Sequence, residues 1–144
     1  MEQPSNQVSN IYGTVHTEAY NNFTGTGSVG GVTVVPSAQT DFHVYAVEWN
    51  EERIDFYVDG QNYFSFNNDY TGSATWPFDQ SFYIILNLAV GGGWVGNPDP
   101  TTVFPARMEV DWVRVYQYLN DVAINGPDFI PYFAEDISYS VADI

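Results

Sequence analysis

Short runs that alternate between apolar and polar residues, separated by glycine, proline, asparagine and aspartate, are the feature that most constrains the fold of this sequence. Because successive side chains of a β-strand point to opposite faces, alternation with a period of two predicts strands. We predict strands at residues 11–17, 32–35, 42–49, 53–58, 62–66 and 107–118, and a tight hairpin at Asp59-Gly60. No stretch sustains the period of about 3.6 residues that marks a helix, so the sequence predicts an all-β sandwich.

Residues 82–90 are the most apolar stretch, with the sequence Phe-Tyr-Ile-Ile-Leu-Asn-Leu-Ala-Val between Pro77 and three glycines. A run of this kind predicts a central strand that is buried on both faces. Asn87 is its polar exception, and an amide inside a buried strand must be hydrogen-bonded or face a wet surface. We interpret Asn87 either as a ligand contact in a polar groove or as an amide bonded to neighbouring main chain.

The aromatic content of 17%, with 11 Tyr and 4 Trp, suits a sheet protein that also offers stacking surfaces. Trp94 follows three glycines, an exposed setting in which an indole is better placed to stack on the apolar face of a sugar ring than to fill a core. Trp76 precedes a proline in a predicted loop and is a second candidate for sugar contact. Trp49 and Trp112 fall in predicted strands, so we expect them in the core.

The charge balance limits the class of partner, because 18 acidic residues stand against 3 basic ones and give a net charge of −15. Such a chain is repelled by nucleic acid, by anionic membranes and by sulfated or uronic polysaccharides. A neutral ligand fits better. The chain has no cysteine, which excludes a disulfide framework, and it has no apolar run of transmembrane length.

The length of 144 residues allows one ordinary domain with a hydrophobic core. After residue 118 the character changes, because aliphatic residues become scattered and Gly126-Pro127 and Ile130-Pro131 interrupt the pattern. We therefore predict one domain over residues 1–118, followed over residues 119–144 by a linker or the start of a further module.

Six motifs, in this order along the chain, resemble the C-terminal half of the catalytic domain of glycoside hydrolase family 16. They are residues 13–18 (Gly-Thr-Val-His-Thr-Glu), 41–49 (Asp-Phe-His-Val-Tyr-Ala-Val-Glu-Trp), 57–60 (Tyr-Val-Asp-Gly), 76–80 (Trp-Pro-Phe-Asp-Gln), 86–92 (Leu-Asn-Leu-Ala-Val-Gly-Gly) and 108–116 (Met-Glu-Val-Asp-Trp-Val-Arg-Val-Tyr). The sequence looks most like the laminarinase branch, the bacterial endo-β-1,3-glucanases. This resemblance implies a β-jelly-roll sandwich of the concanavalin A-like lectin and glucanase type, and hydrolysis of a laminarin-like β-glucan with retention.

The resemblance also implies where the catalytic carboxylates lie. The family carries them in a Glu-x-Asp-x-x-Glu motif, and this chain opens with Met1-Glu2 at about the family's interval before residues 12–17. The match maps Glu2 onto the acid/base, which leaves the nucleophile before residue 1, so we expect an N-terminally truncated domain. Retaining hydrolysis uses two carboxyl groups about 5 to 5.5 Å apart. We therefore expect a glucanase in the full-length parent and no hydrolysis by these 144 residues alone.

Other site residues follow from the same resemblance. His16 shares a strand face with Tyr12 and borders the family's cleft, although a packed core histidine is the alternative. Tyr20 and Asn21 are candidates for the cleft lining. Asp111 matches an aspartate that helps to hold a structural calcium in many members, whereas a lone strand aspartate is usually solvent-facing. We expect no cofactor for catalysis.

Three other interpretations stay open at this point. The glycan could be mixed-linkage glucan or agarose instead of β-1,3-glucan. The chain could be a lectin-like sandwich that binds carbohydrate without cleaving it, using the same aromatic residues. It could also be an unstable half-sandwich without activity. For the enzyme we expect a secreted monomer whose partner is a neutral β-glucan.

Overall fold

The computed structural model describes residues 1–24, 26–117 and 132–137, and these residues form seven β-strands and no helix. The strands are β1 (Asn10–Val15), β2 (Val29–Val34), β3 (Tyr45–Trp49), β4 (Arg53–Val58), β5 (Gln61–Asn67), β6 (Val113–Gln117) and β7 (Tyr132–Ile137). The prediction of an all-β chain is thereby confirmed for the part that the structure describes. No helix capable of crossing a membrane was found among those residues.

β1 and β2 form an antiparallel pair whose register runs from Asn10 opposite Val34 to Val15 opposite Val29. One face of β1 is buried, as its alternation predicts, with Ile11 and Val15 almost fully covered. β2 begins three residues earlier than predicted. The extension includes Gly30 and Gly31, which pair with β1 although their lack of side chains suggested a loop.

β3, β4 and β5 form a second antiparallel sheet with β4 in the middle. The predicted hairpin joins β4 to β5, and Asp59 and Gly60 both have positive φ angles, of 49° and 76°. Two such residues make the turn that matches the twist of paired strands, which is why an Asp-Gly pair is a strong hairpin signal. The Asp59 carboxylate also accepts the main-chain N–H of Val44 at 2.9 Å, so it ties the turn to the segment before β3.

The main core is formed by apolar side chains of β1 and β4 together with Trp76. Four aromatic side chains pack against these residues, namely Tyr63, Phe64, Phe66 and Phe78. The β1–β2 pair approaches β5 closely at Gly31, where an added Cβ would lie 2.6 Å from the Cβ of Phe64. Glycine at this position therefore lets the two sheets pack directly on each other.

One charged residue is also buried, on the face of β4 opposite the core residues Ile54 and Phe56. Asp55 lies in β4 and is 3% exposed. Its carboxylate accepts hydrogen bonds from the Nε of Arg53 at 2.6 Å and from the Oγ of Ser65 at 2.5 Å. The two partners compensate the cost of removing the charge from water.

The prediction of a buried central strand at residues 82–90 is wrong for this structure. The segment forms no strand ladder, and Tyr83 and Ile85 are 84% and 69% exposed. A strand is buried only where other elements pair with it and cover it, and residues 82–90 pair with no strand in the described part of the chain. Trp49 and Trp112, expected in the core, are also about half exposed, at 48% and 44%.

The chain divides into two compact units, with β1–β5 in the first and β6 and β7 in the second. β6 covers only residues 113–117 of the strand that we predicted over residues 107–118, and it pairs antiparallel with β7. β7 lies in the predicted tail. The division at residue 118 stays a prediction, because residues 118–131 and 138–144 lie outside the described part of the chain.

Candidate functional site

Glu2 is fixed next to β1 by its main chain. Its N–H donates to the carbonyl of Tyr12 at 2.8 Å, and its carbonyl accepts the N–H of Tyr12 at 2.9 Å. On its other side Tyr12 pairs with Val32 of β2. Residues that are directly paired in a sheet share a face, so Glu2, Tyr12 and Val32 lie on the outer face of β1, opposite the buried Ile11 and Val15.

Trp94 reaches the same face from the loop that follows the three glycines. Its ring meets that of Tyr12 edge-on, with centroids 5.1 Å apart and planes at 81°. This is a favourable aromatic geometry. The indole nevertheless stays 51% exposed, so much of its surface is open to a ligand. The structure therefore brings Glu2 and Trp94 together at Tyr12.

A shallow groove of about 250 Å³ continues along this outer face. Its lining residues come from β1, β2 and the residue before β2, and they are Tyr12, Thr14, Ser28, Gly30, Gly31 and Val32. Gly30, which pairs with Thr14, places no side chain in this groove, whereas Thr14 and Ser28 supply hydroxyl groups that both donate and accept hydrogen bonds. We call this surface, with Glu2 and Trp94, the Glu2 face.

His16 directly follows β1 and lines a second groove, which is more apolar and shares Thr14 with the first. This groove also contains Trp49 and Phe82, whose rings meet edge-on at 6.1 Å. The Trp49 Nε1–H donates to the carbonyl of Phe78 at 2.9 Å, which fixes the indole at the end of β3. Sequence reasoning missed Trp49 as a surface residue, because nothing in the sequence indicates that β3 lies at the edge of its sheet.

Trp76 does not belong to this surface, and its predicted exposure is corrected. It is 5% exposed, and its ring stacks on Phe66 with centroids 5.5 Å apart and planes at 14°. The surrounding loop is tied down, because the N–H of Ala19 donates to the carbonyl of Ala74 at 2.8 Å. Aromatic packing therefore outweighs the exposure that a loop tryptophan suggests.

None of the other candidates lines the groove of the Glu2 face. Tyr20 packs edge-on against Phe66 at 5.9 Å. The Asn21 side chain holds its own turn, since its amide donates to the carbonyls of Thr17 and Glu18 and its oxygen accepts main-chain N–H groups of residues 23 and 24. Asn87 is exposed within residues 82–90, so its predicted ligand contact stays a prediction.

Asp111 is exposed, and no group of three or more His, Cys, Asp or Glu side chains that could hold a metal ion occurs in the described residues. Calcium takes about six to eight oxygen ligands. The described side chains alone therefore do not fit a complete calcium site. The calcium assigned to Asp111 stays a prediction.

Comparison with known proteins agrees with this architecture. The sequence model described as glycosyl hydrolases family 16 matches residues 4–114. A beta-glucanase of Rhodothermus marinus is 48% identical over 116 residues, covering 76% of this chain and 40% of that protein. Glucan endo-1,3-beta-glucosidase A1 of Niallia circulans is 44% identical over 100 residues, covering 62% of this chain and 15% of that protein.

The fold agrees as well. The crystal structure of the laminarinase from Rhodothermus marinus matches with a TM-score of 0.64 and 45% identity over 68% of this chain. That match confirms the predicted jelly-roll sandwich. The chain spans 41% of that laminarinase, so it corresponds to less than half of the relative's length. On the family match and these identities together, the chain belongs to glycosyl hydrolase family 16.

Proposed function

We propose that this chain forms the acid/base side of a site that hydrolyses β-1,3-glucan with retention of configuration. The observation that carries the proposal is the arrangement of Glu2 beside Tyr12, which in turn contacts the half-exposed Trp94. A carboxyl group and an exposed indole that both lie beside Tyr12 supply what protonation of a glycosidic oxygen and stacking of a sugar ring require. The glucanase names of the relatives support the same substrate.

Each group on the Glu2 face has a chemical task in this proposal. Glu2 first donates its proton to the oxygen of the leaving sugar, and after the glycosyl-enzyme has formed it takes a proton from the attacking water. Trp94 holds a sugar ring against the face. Formation of the glycosyl-enzyme needs a second carboxylate about 5 to 5.5 Å from the first. β1 and β2 contain no acidic residue. The carboxyl group of the Glu2 face therefore comes from Glu2, which pairs with Tyr12.

Glucan binding is tested by affinity electrophoresis of this chain in gels that contain laminarin. We expect Trp94→Ala to weaken binding roughly tenfold, because it removes a stacking surface worth about 1 to 2 kcal/mol. Trp112→Ala is the matched control, since Trp112 has similar exposure but lies in the other unit. Equal retardation of the two variants would contradict the assignment of Trp94. Gels with mixed-linkage glucan and agarose compare the alternative glycans.

The role of Glu2 is tested with α-laminaribiosyl fluoride as donor and laminaribiose as acceptor. Fluoride leaves without protonation, an acceptor hydroxyl attacks the anomeric carbon with inversion, and Glu2 takes the hydroxyl proton. The reaction therefore needs the base but not the second carboxylate. We expect fluoride release to fall about 100-fold or more in Glu2→Gln, as general base catalysis contributes about that much. Glu51→Gln, a change in an exposed turn, is the control.

A second candidate is glucan binding without hydrolysis. The single carboxyl group on the Glu2 face favours it, because binding needs the indole and the groove but no pair of carboxylates. Retarded migration in laminarin gels together with equal fluoride release by the wild type and Glu2→Gln would support this alternative and refute the acid/base role.

A polymeric glucan lies outside the cell in either case. We therefore propose that the protein is secreted and monomeric. Gel filtration of the culture medium tests both properties.

A further inference from the structure

We propose that Tyr12 sets the linkage preference of this site by forcing a bound glucan to change direction. The inference rests on the proposed function, since it requires that the Glu2 face binds a β-glucan. Tyr12 is the residue that lines the groove and also contacts Trp94. A glucan long enough to use both the indole and the groove must therefore pass its ring.

The two aromatic rings meet almost at a right angle. Their planes are inclined by 81° and their centroids lie 5.1 Å apart. A sugar ring stacked on the indole is parallel to the indole plane and therefore inclined by 81° to the Tyr12 ring, which also lines the groove. The glucan can continue into the groove only if its next ring is tilted against the first.

The Tyr12 ring is held rigidly enough to act in this way. Its hydroxyl group donates to the Oε1 of Gln7 at 2.5 Å, and the same oxygen accepts the Nδ2–H of Asn10 at 2.8 Å. Gln7 is fixed in turn, because its N–H donates to the carbonyl of Pro4 at 3.0 Å. The main chain of Tyr12 is paired on both sides, with Glu2 and with Val32. Ligand binding therefore costs little further ordering of the Tyr12 side chain.

The linkage of a β-glucan decides whether it meets this requirement. In a β-1,4-linked chain the bonds to each ring leave from opposite ends, so the polymer is a flat, straight ribbon. In a β-1,3-linked chain they leave at an angle, so the polymer bends and coils. A bent chain can lie on the indole and then turn at Tyr12 into the groove, whereas a flat ribbon collides with the tyrosine ring.

The test compares the affinities of the chain for laminarihexaose and cellohexaose by isothermal titration calorimetry. We expect the wild type to prefer laminarihexaose roughly tenfold or more, and Tyr12→Ala to reduce this ratio to about threefold or less. Tyr12→Phe keeps the ring but loses its hydrogen bond to Gln7, so we expect a ratio between those of the wild type and Tyr12→Ala. Tyr70→Ala, which removes a tyrosine that is 75% exposed in a loop, leaves the ratio unchanged.

The outcomes separate this inference from the proposed function. If the wild type binds neither oligosaccharide, both proposals are overturned. If it binds laminarihexaose but Tyr12→Ala keeps the full ratio, the proposed function stands and the role of Tyr12 is refuted. If Tyr12→Ala does not fold, Gln7→Ala serves as the second variant, because it frees the tyrosine hydroxyl without removing the ring. An unchanged ratio of the two affinities in Gln7→Ala refutes the need for a fixed Tyr12 ring. A reduced ratio in either variant supports it.

Discussion

β4 and residues 82–90 look alike as sequences but differ in the structure. Both are rich in apolar strand-forming residues and have a polar residue inside the run, Asp55 in the first and Asn87 in the second. β4 has strands on both sides and buries Ile54, Phe56 and Val58. Residues 82–90 have no paired strand in the described part of the chain, and their large side chains are exposed.

The difference shows that apolar sequence and burial are separate properties. The partners of β4 are joined to it by the short turn at residues 50–52 and by the Asp59-Gly60 turn, so local chain geometry delivers them. In the described part of the chain, no strand is joined to residues 82–90 by a short turn. A strand near its partners in sequence is predictable from pattern, whereas a strand that depends on distant partners is not.

The largest expected effect comes from removing the same side chain in each region. Ile54→Ala deletes a buried side chain of the core and should lower the free energy of unfolding by about 2 to 5 kcal/mol. Ile85→Ala, at 69% exposure, should change it by less than about 0.5 kcal/mol. Urea unfolding followed by tryptophan fluorescence measures both. Equal losses in the two variants would mean that residues 82–90 are buried in solution and would break the comparison.

A smaller effect is expected from filling the contact between the two sheets. Gly31→Ala introduces a methyl group 2.6 Å from the Phe64 Cβ, and overpacking of this kind costs about 1 to 3 kcal/mol. Gly93 follows residues 82–90, and no atom lies within 4 Å of the Cβ that Gly93→Ala would add. Its substitution should therefore be neutral in the same urea titration. A neutral Gly31→Ala would refute the close packing of β2 on β5.

Most strands of the first unit could be predicted from the sequence, because alternation and turn signals depend only on neighbouring residues. Alternation located β1, β3, β4 and β5 to within a few residues, and the Asp-Gly pair located their tightest turn. β2 was predicted too short, since its glycines have no strand preference of their own and depend on pairing with β1. Trp76 was misplaced because its burial depends on stacking against Phe66 of β5, a contact across the loop that the local sequence does not show.

The candidate site was predictable only in part, for a similar reason. The exposed setting of Trp94 was visible from its three preceding glycines, and Glu2 came from the family resemblance. That both meet Tyr12 depends on the path of a loop and on an isolated bridge between main chains. Neither has a sequence signal, so the linking role of Tyr12 required the structure.

The smallest expected effect concerns the ion pair that ties the β4–β5 turn to the segment before β3. His43 Nδ1 lies 2.6 Å from Asp59 Oδ2, and His43 Nε2 lies 3.0 Å from the Ser37 hydroxyl. The hydrogen bond to Asp59 raises the pKa of His43 above its usual 6.5, with a further contribution from the charge of Asp41, while desolvation opposes the rise. The same bond lowers the pKa of Asp59 below its usual 3.8. Tyr45 packs edge-on against the imidazole.

The signs of these shifts fix the pH window of the pair. The contribution of His43 is complete below pH 6.5 and is lost as the pH rises through its raised pKa in the folded state. The contribution of Asp59 is complete above pH 3.8 and is lost as the pH falls through its lowered pKa. We expect the urea midpoint of the wild type to fall slightly between about pH 5.5 and about pH 8.5.

Asp59→Asn separates this ion pair from the other titrating groups, because asparagine also tolerates the positive φ angle of the turn. The variant should show a smaller fall of the urea midpoint over the same pH interval. An identical fall of the urea midpoint in both proteins would mean that the His43–Asp59 pair contributes nothing to the pH dependence of stability.

The attachment of Glu2 through its main chain has a practical consequence. The position of residue 2 next to Tyr12 is set by two peptide groups, so exchange of the side chain leaves its location unchanged. The chain contains no cysteine, and Glu2→Cys therefore creates a single thiol where the carboxyl group now stands. Conjugation of a spin label or an environment-sensitive dye to that thiol would turn the Glu2 face into a reporter of its own occupancy.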